Sequence, residues 1–422
     1  MCMPICHSLR KWAQMFHRRL SAVALVAVGA LAVTAMSAPS SVAADTERAE
    51  ASSTNRDSGE RSATVIVQLE EGGGDHASRY ADVKKRIGEA VAQASPGATI
   101  EDVRDYHHVF EGFAIKVPAD TMAAIKGVQG VKGAFFEGRH EPVTDPDFWD
   151  MRDHSTDSSP DRGTASRMTG AAAASQRGQG QVIEVIDVGV DTSHEAFAGS
   201  LDAASVRLTR QAMTSLAPSL GAGKDGAWVS DKIPFAYDYG DGDTDATTGN
   251  ASSRASEQGT HVASLATANG TSFTGAAPGA QLVVAKATSD DTYTAYDTAL
   301  LAALDDAAVI KPDALTVSFS TLEGMSSDSV ALYSQVYQRL TEAGVVVNAP
   351  AGNDGNSSYG TDPDTGLLGF PAFYSSTLAV ASVNEQDAAD LGTGAITVSD
   401  FSGTGATYDL RLKPEVAAPG GE

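Results

Sequence analysis

The chain has 422 residues, of which 42% are hydrophobic and 20% are charged. This length and apolar content suffice for a large core divided over two or three domains, and they exclude an intrinsically disordered protein. Acidic residues outnumber basic ones by 54 to 30, which gives a formal net charge of −24. Because such a surface repels phosphate groups, the composition argues against a nucleic-acid-binding protein.

Residues 1–44 have the pattern of a secretory signal peptide: a basic start, an apolar run from Ala22 to Val33, and small residues at the end. The alternative is a membrane anchor, which needs about 20 apolar residues, whereas this run has about a dozen. Both cysteines, Cys2 and Cys6, lie in this segment. Cleavage would therefore leave an exported protein without disulfides, a thiol nucleophile or a zinc–thiolate site.

The next part of the chain predicts a small α+β unit. Residues 45–62 are polar and lack aromatic residues, which is typical of a flexible spacer. Residues 63–140 then alternate strand and helix patterns in the order β-α-β-β-α-β, with the first helix at His76 to Ala94. This order indicates a ferredoxin-like fold. By pattern alone, the unit is compatible with any small module.

The remaining sequence predicts an α/β domain. Residues 141–178 are rich in charged residues, small residues and proline, and they predict a linker. Within residues 179–422, apolar strands such as VIEVIDV and QLVVAKA alternate with helical stretches, for example residues 295–310 and 329–343. Buried strands between helices indicate a doubly wound parallel sheet covered on both faces. Functional side chains of such sheets gather at the carboxyl ends of the strands.

Three polar residues lie where a predicted strand ends or a predicted helix begins. Asp187 ends the strand VIEVID, His261 opens an apolar helix in EQGTHVASLATANG, and Asn353 follows the strand VVVNA in APAGNDGN. Each residue taken alone is more often structural. A carboxylate at a strand end and a histidine at the start of a buried helix are common, and asparagine tolerates tight turns.

Together, in the order Asp, His, Asn, these segments resemble the subtilisin-like serine proteases. KIPFAYDYGDGDTD, GAAPGAQLVVAKATSD and DLRLKPEVAAPGG are most similar to the cell-envelope proteinases of the lactocepin and streptococcal C5a-peptidase type. The resemblance covers about residues 64–422. It implies a bacterial protein that is secreted or held at the cell wall. VFEGFAIKVP and VKGAFFEGR resemble the inhibitory propeptide of the family, which assists folding and blocks the active site until it is removed.

The resemblance also implies catalytic roles. Asp187 would hold the imidazole of His261 in the correct tautomer, and His261 would take the proton from a serine hydroxyl and return it to the leaving amine. Asn353 would donate its amide to the developing oxyanion. Val188 replaces the threonine that usually follows the aspartate, so a hydroxyl that supports the carboxylate is missing. Gln258 stands where the family usually has a histidine.

Substrate contacts follow from the same resemblance. Ser318, Phe319 and Ser320 align with the strand that pairs backbone to backbone with an extended peptide. Ala351 and Gly352 would line the wall of the primary specificity pocket. The partners implied are a protein substrate in extended conformation and the chain's own propeptide. No cofactor is needed for this chemistry.

The family's nucleophile opens a long helix in a segment beyond the AAPGG match, and residues 1–422 lack that segment. Gly270-Thr271-Ser272 precedes Asn353 and runs into no apolar helix, and Ser402 belongs to the loop ahead of the missing segment. The sequence therefore predicts a protease fragment that is inactive as it stands. The alternative is a non-catalytic peptide-binding pseudoenzyme, or an inhibitor or folding assistant that acts through its propeptide.

An acidic run at Asp238, Asp241, Asp243 and Asp245 has two interpretations. Clustered carboxylates suit calcium, a hard cation that prefers oxygen ligands. A solvated acidic loop is the commoner explanation. If the protein binds a structural calcium ion, we expect it at these four residues.

Overall fold

The structure is a computed structural model that describes residues 62–73, 75–140, 164–221, 226–248, 257–320, 325–353, 355, 368–384, 396–407 and 409–421. The predicted signal peptide, nearly all of the predicted spacer and residues 141–163 of the predicted linker lie outside these ranges. None of the helices in the described ranges is both long and apolar enough to cross a lipid bilayer.

The described elements form two groups. The first group is β1 (Ser62–Leu69), α1 (His76–Ala94), β2 (Glu101–Tyr106), β3 (Gly112–Pro118), α2 (Met122–Lys126), β4 (Val131–Phe136) and β5 (Arg139–His140). The second group is α3 (Thr164–Met168), β6 (Val182–Asp187), α4 (Arg210–Leu216), β7 (Phe235–Asp238), α5 (Gln258–Thr267), β8 (Gln281–Lys286), β9 (Ala295–Tyr296), α6 (Asp297–Ile310), β10 (Ala314–Val317), α7 (Ser327–Glu342), β11 (Val346–Pro350), β12 (Leu378–Asn384) and β13 (Val416–Gly421).

The first group forms an antiparallel sheet with the order β2-β3-β1-β4, the topology of a ferredoxin-like unit. Successive residues of β1 point to opposite faces. Val65 and Val67 pack against Val83 and Ile87 of α1, whereas Ile66 belongs to the core of the second group. Because both faces are covered, β1 is an almost continuous apolar run.

The second group forms a seven-stranded parallel sheet with the order β13-β12-β11-β10-β6-β8-β7. Helix α5 covers one face, where Val262 and Ala263 share a cluster with Val185 of β6. Helices α6 and α7 cover the other face, where Leu304 packs in the same cluster as Ile186. Every residue of β6 is buried. The predicted doubly wound parallel sheet is therefore confirmed.

Two predicted boundaries differ from the structure. The helix predicted from residue 295 begins at Asp297, because Ala295 and Tyr296 form β9 and pair antiparallel with β5. The end of the predicted linker, residues 164–178, contains α3 and a short turn whose buried Ala171 packs with Ala266. Those residues belong to the main domain, because small apolar side chains let them close over the sheet.

The α+β unit docks with its sheet on α6 and α7. Ile66 and Phe135 from the unit share one hydrophobic cluster with Leu300 of α6 and Tyr333 of α7. The hydroxyl of Tyr106 donates to the carbonyl of Thr298 at 3.2 Å. The two groups therefore share a continuous core rather than a hydrated boundary.

Asp297 lies at the centre of the polar part of this interface. Its Oδ1 contacts Nε2 of His140 at 2.8 Å and accepts from the hydroxyl of Tyr333 at 2.6 Å, and its Oδ2 accepts from N of Gly138 at 2.6 Å. The side chains of Asp297 and His140 are each only 3% exposed. Burial alone would raise the pKa of Asp297, but these partners hold it below its usual value of 3.8.

A second carboxylate of α6 binds the same unit. Asp305 accepts from the backbone N–H groups of His107, His108 and Val109 at 2.8 to 3.1 Å. At the other end of the helix, Glu137 accepts from N of Thr298 at 3.2 Å. Polar contacts thus fix the register of the unit along α6, while apolar contacts supply the buried area.

Replacing Asp297 with alanine removes the acceptor that three donors share in a buried site. We expect the D297A variant to lose about 3–5 kcal/mol of unfolding free energy, because the donors stay buried without a partner. Amide hydrogen exchange should accelerate in β4, β5 and residues 107–109. Alanine at the exposed Asp291 is the matched control. Equal protection in both variants would contradict this assignment.

Candidate active site

The three predicted catalytic residues come from neighbouring parts of one sheet edge. Asp187 ends β6, and Asn353 follows β11; β10 lies between these two strands. Because the strands are parallel, their carboxyl ends meet at the same edge. With about 4.8 Å between adjacent strands, the ends of β6 and β11 lie on the order of 10 Å apart.

Asp187 is 1% exposed. Its Oδ1 accepts from N of Val188 at 2.7 Å, while Oδ2 makes no hydrogen bond with a described residue. Burial raises the pKa of Asp187 from 3.8 to about 7, although the Ser318 hydroxyl and the Val188 N–H oppose the rise. This carboxyl therefore titrates near neutral pH instead of near pH 4.

The first turn of α5 lies directly against the end of β6. A Cβ at Gly259 would overlap the carbonyl oxygen of Gly189 and would lie 3.2 Å from Cβ of Asp187. The hydroxyl of Thr260 accepts from N of Asp191 at 2.9 Å. Gly259 therefore permits a contact that no other residue would allow, and Thr260 fixes its register.

His261 follows in the same turn, partly buried, one residue after Thr260. Burial lowers the pKa of its imidazole below 6.5, with Glu257 opposing the shift. A neutral imidazole is the form that accepts a proton. The structure thus brings the turn that carries His261 to Asp187, and their catalytic roles stay a prediction.

Asn353 is half-buried after a left-handed Gly352, whose φ is +103°. The segment is held from both sides: N of Ala351 donates to the carbonyl of Val380 at 2.9 Å, and N of Gly403 donates to that of Gly352 at 2.8 Å. The turn is therefore fixed to β12 and to the loop at residue 403. The predicted oxyanion donor lies at the correct edge of the sheet.

The predicted substrate-binding strand lies between these two ends. Ser318 follows β10 and is 6% exposed. Phe319 is completely buried in the main core, so its side chain is closed to a peptide and only its backbone remains to pair with one. Ser320 is half-buried, and Ala351 and Gly352 are buried beside it. Backbone pairing at these residues stays a prediction.

Neither Ser272 nor Ser402 lies where a catalytic nucleophile is expected, at the start of a long helix. Ser272 is in a short loop closed by the bridge between Asn269 and Thr274, and its hydroxyl donates to Glu195 at 2.9 Å. Ser402 is buried, and its hydroxyl accepts from N of Ser382 at 2.9 Å. Both hydroxyls hold local structure.

The acidic run divides into two parts. Asp238 and Asp241, with Asp290, form a group whose ligand atoms lie within 4.8 Å of one another. Lys286 makes ion pairs with this group: its Nζ is 2.6 Å from Oδ2 of Asp238, contacts Asp290, and is 3.9 Å from Asp241. A calcium ion here would compete with that ammonium group, so calcium binding stays a prediction.

The other two carboxylates of the run turn towards their own loop. Oδ1 of Asp243 accepts from N of Asp245 at 2.8 Å, and Oδ1 of Asp245 accepts from N of Thr247 at 3.1 Å. Of the four residues predicted as one ligand set, only Asp238 and Asp241 belong to the group of nearby carboxylates. Asp290, which the sequence reading left out, takes the place of Asp243 and Asp245.

The comparisons with known proteins agree with this geometry. A model of the subtilase family matches residues 178–422, more than half of the chain. The chain belongs to the subtilase family. The family predicted from the motifs is thus confirmed, and a subtilase assignment implies a serine protease scaffold.

The chain is similar to two larger proteinases, and it spans less than a fifth of the length of each. The PII-type proteinase of Lactococcus lactis subsp. cremoris is 28% identical over 366 residues, which cover 80% of this subtilase chain and 17% of the relative. The C5a peptidase of Streptococcus pyogenes is 30% identical over 222 residues, which cover 49% of this chain and 18% of that protein.

Among solved structures, the epidermin leader peptide processing serine protease EpiP of Staphylococcus aureus matches with a TM-score of 0.51. The identity is 15%, and the match covers 85% of this subtilase chain and 75% of that chain. At this identity the likeness supports the fold alone. It agrees with the parallel sheet described above.

Sequence reasoning missed polar contacts of this subtilase chain that lie outside its motifs. Lys286 lies in an apolar strand pattern, where a lysine signals nothing about the acidic run 48 residues earlier. The contact between His140 and Asp297 joins residues 157 apart. The sequence placed Gly259 just before the predicted helix, whereas the structure places it inside α5, where a glycine marks a close backbone approach.

Replacing Gly259 with alanine tests the close contact between the start of α5 and the backbone at Gly189. The added methyl group would meet the Gly189 carbonyl oxygen, so we expect the G259A variant to lose about 3 kcal/mol of unfolding free energy. Gly88 is the matched control, because it lies within α1 and a Cβ there would make only an ordinary contact, 4.0 Å from Cδ1 of Ile100. The G88A variant should gain about 0.5–1 kcal/mol. Denaturant unfolding of both variants measures the difference, and a harmless G259A would contradict this fit.

The D187N variant tests the raised pKa of Asp187. The native state holds the proton more tightly than the unfolded chain, so wild-type stability should fall as the pH rises from about 4 to about 7. An asparagine has no proton to lose. Relative to wild type, D187N should therefore gain up to about 4 kcal/mol between pH 4 and pH 8. Parallel stability curves, measured by urea unfolding, would rule out the shift.

Proposed function

We propose that this chain provides the catalytic scaffold and the intramolecular inhibitor of a secreted subtilisin-like serine endopeptidase. One observation carries the proposal. Gly259 lets the helical turn that contains His261 pack against the end of β6, where Asp187 is buried. Chemistry of this kind needs a base and a carboxylate held together. Membership of the subtilase family supports the same reading.

In the proposed reaction, a serine oxygen attacks the carbonyl carbon of the scissile peptide bond and passes its proton to His261. The amide of Asn353 donates to the resulting oxyanion. His261 then gives the proton to the leaving amine, the peptide bond breaks, and an acyl-serine remains until water hydrolyses it. Asp187 keeps the imidazole in the correct tautomer throughout. The proposal places the serine outside residues 1–422.

The α+β unit is the proposed inhibitor. Its sheet covers α6 and α7, and β5 pairs with β9 in the register Arg139 to Tyr296 and His140 to Ala295. In the proposal, this antiparallel strand occupies backbone groups of β9 with which an extended peptide could otherwise pair. The proposal therefore assigns the unit the role of a propeptide, and it assigns the segment from Ser318 to Ser320 to the pairing of substrate.

Export follows from the pattern of residues 1–44, which is that of a signal peptide. The proposed location is the outside of a bacterial cell, free or at the wall. The proposed substrate is a protein segment in extended conformation.

The decisive experiment starts with the coding sequence beyond codon 422. The longer product, expressed and processed, should hydrolyse a fluorogenic peptide and react with a fluorophosphonate probe. D187N should lower kcat by about 10⁴, the loss known for the corresponding change in another serine protease. N353A should lower kcat by about 10²–10³, the loss known for the equivalent amide of a subtilisin.

The D291N variant, changed at an exposed carboxylate, serves as the activity control. Labelling of Ser272 or Ser402 by the probe in the 422-residue chain would contradict the proposal. So would a folded longer product that no probe labels. In that second outcome, retained binding of extended peptides would favour the non-catalytic alternative, a pseudoenzyme or an inhibitor.

A further inference from the structure

A buried carboxylate that must stay ionised needs hydrogen-bond donors, and Asp187 has few. The N–H of Val188 serves Oδ1 at 2.7 Å. The Val188 side chain is apolar and offers no hydroxyl. Oδ2 makes no hydrogen bond with a described residue, although the whole side chain is 1% exposed. The site therefore calls for a second donor from another strand.

Ser318 lies in the position to supply it. Strands β10 and β6 pair in parallel, with Val317 opposite Ile186, so the next residues, Ser318 and Asp187, are neighbours in register. N of Ser318 donates to the carbonyl of Ile186 at 3.0 Å, which continues the ladder to that point. The hydroxyl of Ser318 is buried and has no described partner in full hydrogen-bond geometry, yet it acts on Asp187 strongly enough to lower the pKa of that carboxyl. A buried donor and a buried acceptor thus stand side by side.

We propose that Ser318 is a positioning residue whose hydroxyl donates to the ionised Asp187 and replaces the hydroxyl that Val188 lacks. The inference rests on the proposed function, because the carboxylate has to stay charged only if it supports His261.

Two further observations support the assignment. The Ser318 hydroxyl already lowers the pKa of Asp187, against the larger effect of burial. In addition, Nε2 of Gln258 donates to the carbonyl of Ser318 at 3.4 Å, which links the start of α5 to the same residue. Ser318 is thus tied to β6 through its amide and to the helix of His261 through its carbonyl.

The consequence is electrostatic. Without the hydroxyl, Asp187 would hold its proton to higher pH, and a protonated carboxyl cannot stabilise the imidazolium of His261. Loss of Ser318 should therefore act on kcat, in the pH range where Asp187 titrates, and leave KM nearly unchanged. A residue that only packs would change stability without moving that titration.

The test is a titration of the complete 422-residue chain, with carbon-13 in the aspartate carboxyl groups. The Asp187 signal is assigned by its loss in D187N. In S318A the midpoint of Asp187 should rise by about one pH unit, because a hydrogen bond to a charged group is removed. S318C, which keeps the volume but has a weak donor, should shift in the same direction. S318T, which restores a hydroxyl, should stay within about 0.3 pH unit of wild type.

Thr316 provides the matched control, because its hydroxyl is buried without a described partner two residues earlier, on the same face of β10. T316V should leave the Asp187 midpoint unchanged. An unchanged midpoint in both S318A and S318C, or an equal shift in T316V, would overturn the inference. The H261A variant reports separately on the proposed function: if it leaves the Asp187 titration unaltered, the pair itself is absent, whatever Ser318 does.

Discussion

The whole candidate site depends on one backbone contact, the approach of α5 to the end of β6. Glycine at 259 lets the helix start against the carbonyl of Gly189, and this contact sets where the next turn, with His261, can lie. Asp187 lies beside this contact, since a Cβ at residue 259 would be 3.2 Å from its Cβ. Burial raises the pKa of its carboxyl to about 7.

The spacing of apolar residues was enough to predict individual helices and strands. The helix at His76–Ala94 and the strand that ends at Asp187 follow from spacing of apolar residues, and both match the structure. The positions of Asp187 and Asn353 at one sheet edge followed from parallel topology, and that of His261 from the family resemblance. Their chemical roles came from family resemblance, because no spacing rule shows which carboxylate faces which imidazole.

Contacts between distant segments could not be predicted in this way. Pairing of β5 with β9 replaced the first residues of a predicted helix, because an edge strand offers hydrogen bonds that a helix end lacks. Phe319 was assigned to a substrate-binding strand by resemblance, yet its side chain fills the core. In each case a neighbour that is remote in sequence decided the outcome, and only tertiary structure reveals such neighbours.

The lysine among the acidic residues affects how far this corner of the fold depends on dissolved ions. Lys286 is a counter-ion attached to the backbone, so dilution and chelation cannot remove it. A dissolved cation would make this corner of the fold depend on the ionic content of the medium. The ammonium of Lys286 is tethered to the chain, so its local concentration is set by the fold and not by the medium.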